Sequence, residues 1–165
     1  MTEPTLTDLP APRFETGRSL LIAGFSGRFT IETNGGIPAL WQSFIPHIGK
    51  VPGQVSNVTY GVCCNPDGNG GFEYIAGVEV RSLAGLDAAF RCIEISPQRY
   101  AVFEHAGPLS TLPRTCMRIW NEWLPASGMV SAFAPDFERY SEDFDPAAGT
   151  GVLEVWLPVR ERGCV

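Results

Sequence analysis

The sequence predicts an α+β fold of two strand–helix–strand–strand repeats, a single domain over residues 1–165 with repeats at about 12–80 and 90–159. Three observations carry that expectation. Residues 20–80 and 99–159 run through the same events in the same order, at an offset that holds between 78 and 80. Each repeat contains one apolar stripe at helical spacing. Apolar runs of strand length flank each stripe, punctuated by Gly, Pro and Asn.

The first repeat opens with LLIAGFSG (20–27), an apolar strand ending in glycine. A helix follows, in which Ile37, Leu40, Trp41, Phe44, Ile45 and Ile48 share one face. Pro38 suits its first turn, and Pro46 ends or kinks it near Ile45. VTYGVCC (58–64) and EYIAGVEV (73–80) read as paired strands joined by the hairpin loop NPDGNGG (65–71). Those glycines join two strands instead of opening a helix, so they do not read as a phosphate cradle.

The second repeat starts with YAVFEHAG (100–107), matching 20–27. Leu112, Cys116, Ile119, Trp120 and Trp123 form the equivalent helical stripe, with Ser110 or Thr111 as cap and Pro125 as stop. Trp41 aligns with Trp120, which predicts equivalent buried positions against the sheet. PDFERYSE (135–142) and LEVWLPV (153–159) supply the closing strands. If a pseudo-twofold axis relates the halves, Tyr74 and Glu154 come from equivalent strands, at an offset of 80, and face each other across a central groove.

Composition narrows the function. A net charge of −6 lacks the basic footprint of a nucleic-acid binder, and 44% hydrophobic residues are too many for a disordered chain. No apolar run approaches the roughly 20 residues of a membrane helix, and MTEPTLTDLPAPRFE is no secretory signal. Five cysteines (Cys63, Cys64, Cys92, Cys116, Cys164) without C-x-x-C spacing point to reduced thiols and a cytoplasmic location. His47 and His105 belong to no clustered ligand set, so neither a metal nor another cofactor is expected. Gly24-Phe25-Ser26-Gly27-Arg28 misses the serine-nucleophile elbow by its final arginine.

The last strand is the most informative. Alternation puts Val152, Glu154, Trp156 and Pro158 on one face, so Glu154 is a lone carboxylate in an apolar strand beside an indole. An exposed acid would look the same in composition. A pocket with an aromatic wall and one anionic group would instead suit a lipophilic cation.

Six segments in order resemble the GyrI-like small-molecule-binding domain, also known as the effector-binding domain of AraC-type and MerR-type multidrug-responsive regulators. They are PALWQSF (38–44), FEYIAGVEV (72–80), ISPQRYAVFEHAG (95–107), IWNEWLPASG (119–128), PDFERY (135–140) and LEVWLPV (153–159). The resemblance implies antiparallel sheets forming a concave face and a ligand cleft between the repeats. It also implies a central glutamate, mapped here onto Glu154, with Tyr74, Trp156 and Trp120 as cleft aromatics. No helix-turn-helix segment precedes residue 12, so a standalone member is expected. Three functions follow from the likeness. The first is binding of hydrophobic, cationic compounds for sensing, sequestration or stress protection. The second is hydrolysis of strained cyclopropanone-type compounds, with Glu154 as general base and Tyr74 beside it. The third is inhibition of a partner enzyme such as DNA gyrase.

Overall fold

The computed structural model describes residues 9–105, 109–145, 148 and 150–162. Its strands are β1 (Arg13–Thr16), β2 (Leu20–Phe29), β3 (Gln54–Cys64), β4 (Phe72–Val80), β5 (Arg91–Ile95), β6 (Arg99–His105), β7 (Met129–Ser131), β8 (Asp136–Tyr140) and β9 (Leu153–Glu161). All pair antiparallel in the order β1-β6-β9-β8-β3-β4-β2-β5, with β7 adding to β9. Helix α1 (Ile37–Phe44) joins β2 to β3, and α2 (Leu112–Arg118) runs on through a π-helical turn, Ile119–Trp123. The predicted α+β class and antiparallel sheet are therefore present. β1 and β5, too short to register as apolar runs, are additions at the two sheet edges. Residues 106–107 of the predicted strand 100–107 lie outside the described residues. Among the described residues no helix is long and apolar enough to cross a membrane.

The sheet must curl. β1 and β2 stand six strands apart in its order, about 29 Å in a flat sheet. Residues 17–19 alone connect them, and such a link reaches at most about 14 Å. Residues 96–98 impose the same constraint on β5 and β6. The two linkers run antiparallel side by side, the Gly17 amide donating to the Gln98 carbonyl at 2.8 Å. Gly17 is required there, since a Cβ would come within 2.6 Å of the Tyr100 ring.

Curling divides the apolar residues into an interior and a helix-covered exterior. The interior core is continuous across both halves, with Leu20, Ile22, Tyr60, Val62, Ile75, Ile95, Tyr100, Val102 and Phe137 all buried. Outside, α1 packs on β2 and β4, where Phe44 buries fully among Ala23, Tyr74, Ala76 and Val78. Leu112 and Ile119 bury with Phe103, Val155 and Leu157 beneath the second helix.

Two expectations for that helix are corrected. Trp120 is 40% exposed and Trp41 half-buried, so the two are not equivalent buried positions; the π-helical turn breaks the 3.6-residue phase from Ile119 onward. Trp123 turns inward instead, edge-on to Phe103 at 5.0 Å. Thr111 makes no side-chain cap bond; its hydroxyl lies 3.3 Å from His105 Nε2.

Candidate functional site

The strand Asp136-Phe137-Glu138-Arg139-Tyr140 runs down the seam between the halves, paired to β3 on one side and β9 on the other. Alternation sends Asp136, Glu138 and Tyr140 toward the helices, and Phe137 and Arg139 to the interior. On the helix side, Glu138 Oε1 accepts hydrogen bonds from the Tyr74 and Tyr140 hydroxyls at 2.8 and 2.7 Å. The Tyr74 oxygen in turn accepts from Trp41 Nε1 at 3.0 Å, tying α1 to the seam. Trp41 also sits edge-on to Tyr140 at 5.4 Å, and Tyr140 to Phe144 at 4.9 Å. Gly61, directly opposite Glu138, leaves the space in which the Tyr74 hydroxyl reaches the carboxylate; a Cβ would strike both groups.

No guanidinium or ammonium contacts Asp136 or Glu138 among the described residues. Burial therefore governs their protonation. It pushes Asp136 up to about 7, with the neighbouring Glu138 charge adding to the rise. Burial raises Glu138 too, against the two phenol hydrogen bonds that favour its charged form. It drives the Tyr74 and Tyr140 hydroxyls and the Cys63 thiol well above their ordinary values. The outcome is a withdrawn pair of carboxylates, two residues apart on one strand, beside an indole and two phenols.

Glu154 lies on the interior side, 8% exposed. It is held by Arg13 Nη2 and Trp156 Nε1, each at 2.9 Å, with Arg139 Nη1 at 3.9 Å. These groups border a cavity of about 430 Å³ at one mouth of the curled sheet, which Tyr60, Tyr100 and Phe137 also line. Phe137 and Trp156 stack there at 5.4 Å and 17°.

Of the four residues expected at the cleft, the structure brings Glu154 and Trp156 together. Tyr74 does not face Glu154: it is 2% exposed on the helix side, bound to Trp41 and Glu138. Trp120 lines neither place. The repeat alignment fails by one residue. Tyr74, Ala76 and Val78 of β4 and Leu153, Val155 and Leu157 of β9 all face helices, so residues of like facing on the two strands differ by an odd number. An offset of 80 crosses to the opposite face. Asp136, Glu138, Tyr140 and Trp41 were not singled out as site residues, although D-x-E-x-Y alternation already placed three of them on one side. The described cysteines, Cys63, Cys64, Cys92 and Cys116, are free; Cys164 lies outside the described residues.

A family model described as the GyrI-like small molecule binding domain matches residues 10–160. The transcriptional regulator BrlR of Pseudomonas aeruginosa is 29% identical over 125 residues, 74% of this chain and 46% of the regulator. The chain thus spans about half the length of that relative. The structure of SAV2435 bound to tetraphenylphosphonium superposes with a TM-score of 0.72 at 22% identity, covering 90% of this chain and 93% of the other. The EcmrR C-terminal domain gives a TM-score of 0.60 at 14% identity, covering 90% and 96%. At these identities the two structures show a shared fold.

Proposed function

The chain belongs to the GyrI-like small-molecule-binding family, and from that premise we propose that it binds lipophilic cations on the helix side of its seam, with Glu138 as the anionic partner. One observation carries the reading: among the described residues, the hydrogen-bond donors to the withdrawn Glu138 carboxylate are the neutral hydroxyls of Tyr74 and Tyr140. A carboxylate so placed is costly until a cation answers it, and aromatic faces beside it add cation–π attraction. Glu154, the glutamate expected from sequence, already has Arg13. The likeness to SAV2435, whose bound tetraphenylphosphonium is a cation in an apolar shell, supports the ligand class.

Calorimetry with tetraphenylphosphonium tests it. Glu138→Gln keeps the shape and both acceptor bonds, and should weaken binding by about 1.5–3 kcal/mol, the scale of a charge-assisted contact. Glu154→Gln should leave affinity within about twofold, because its charge is already neutralised. Neutral triphenylphosphine oxide should bind weakly to wild type and mutant alike. Equal affinities for the cation and the neutral analogue would sink the proposal, as would a loss confined to Glu154→Gln.

A second reading rests on Asp136. Its value near 7 is what a general base for water needs, so hydrolysis of strained ketones would use the Asp136–Glu138 pair in place of Glu154.

A further inference from the structure

The interior mouth holds unused hydrogen-bonding capacity of the opposite polarity to the helix side. Glu154 has Arg13 Nη2 on one oxygen and Trp156 Nε1 on the other, both at 2.9 Å. Arg139 stands 3.9 Å away, beyond hydrogen-bond range, so its charge is only loosely answered. Its guanidinium lies at the cavity wall, within reach of the Tyr60 hydroxyl. Glu15, the other carboxylate of the lining, is occupied by Arg13 Nε at 2.6 Å. Tyr100, also in the lining, is 1% exposed, and its hydroxyl has no hydrogen-bond partner among the described residues. Such orphaned buried hydroxyls are rare in proteins and call for an explanation.

The apolar part of the wall is aromatic. Phe137 and Trp156 stack, and Tyr100 stands edge-on to both, at 5.4 and 5.3 Å. At about 430 Å³ the cavity falls in the range of small-molecule sites.

We propose that this mouth is a second ligand site, separate from the one at Glu138, and that it takes a small planar aromatic carboxylate. The ring lies against Phe137 and Trp156, and the carboxylate accepts from the Arg139 guanidinium and the Tyr100 hydroxyl. A cation has no unengaged carboxylate here, while an anion finds donors on two sides. The two sites sit back to back: Glu138 and Arg139 are neighbours on β8 and point to opposite faces of the sheet.

The test is calorimetric titration of wild-type protein with 2-naphthoate and with 2-naphthamide, its neutral analogue. Naphthoate is expected to bind at least tenfold more tightly than the amide, and Arg139→Gln to erase that preference. Tyr100→Phe removes only the orphaned hydroxyl, so it should fold as well as wild type and lose several-fold in naphthoate affinity. Saturating tetraphenylphosphonium should leave naphthoate binding unchanged, and Glu138→Gln should not touch it. No naphthoate binding at millimolar concentration would overturn the proposal. So would equal binding of acid and amide, wild-type affinity in Tyr100→Phe, or displacement of naphthoate by the phosphonium ion. Each of these results but the last is independent of whether tetraphenylphosphonium binds at Glu138.

Discussion

Glu138 and Glu154 are almost cross-strand neighbours. Glu138 pairs with Val155 and Arg139 with Glu154, so a single residue of register separates them. Strand alternation nevertheless puts them on opposite faces, with unlike partners. Glu154 meets two arginines and an indole N–H, and its charge is spent on joining β1 to β9. Glu138 meets two phenols that satisfy one oxygen without cancelling its charge. Burial alone does not identify a binding carboxylate. What distinguishes the two is whether a cation already belongs to the fold.

That contrast can be broken by neutralising each acid in turn. Glu154→Gln should destabilise the protein by about 1–2 kcal/mol in urea melts at pH 8, since charge-assisted bonds become neutral ones and half of the pair is solvent-screened. Glu138→Gln should leave stability unchanged or raise it, because a half-buried charge without a counter-ion disappears while both phenols keep an acceptor. Equal losses in both variants would remove the distinction.

The pH dependence sharpens the same point. Asp136 is raised to about 7 from an ordinary 3.8, so its contribution is full below about pH 4 and is lost as pH rises through 7. Glu73, gripped by Arg91 at 2.7 Å, is held down to about 2, so its contribution is full above about 4.5 and fades as pH falls toward 2. Asp136→Asn should therefore gain on the order of 1 kcal/mol over wild type at pH 8 and little at pH 5, by urea melts at each pH. The smallest effect is expected at the misjudged tryptophan. Trp120→Ala, on an exposed side chain, should change stability by about 0.5 kcal/mol or less in the same melts.

What could be read from sequence, and what could not, follows the range of the forces involved. The α1 stripe, the Gly-rich hairpin and the inward turn of Glu154 are local consequences of period 3.6, turn chemistry and period 2. The β3–β4 pairing bears out the hairpin, and the 8% exposure of Glu154 rules out an ordinary surface acid. Glu138 stayed hidden because D-x-E opposite F-x-R looks like a solvent face, and the groups that cover it come from elsewhere: Trp41 on α1 and Tyr74 on β4. Trp120 was misplaced by one π-helical turn, which no apolar period records. Tyr74 was misplaced because an offset of 80 is one residue out of phase with the faces of β9, the smallest error that reverses a strand's faces.

The paired linkers at Gly17 and Gln98 bear on how the chain folds. β1 leaves the first half to border β6, and β5 leaves the second half to border β2, so each half is finished by a strand borrowed from the other. Neither can close its own edge during synthesis. Arg13 waits for Val102, and the edge of β2 stays open until Arg91–Ile95 has emerged. Contacts so distant along the chain are slow to form. The two halves interlock like clasped hands, which makes the domain one cooperative unit.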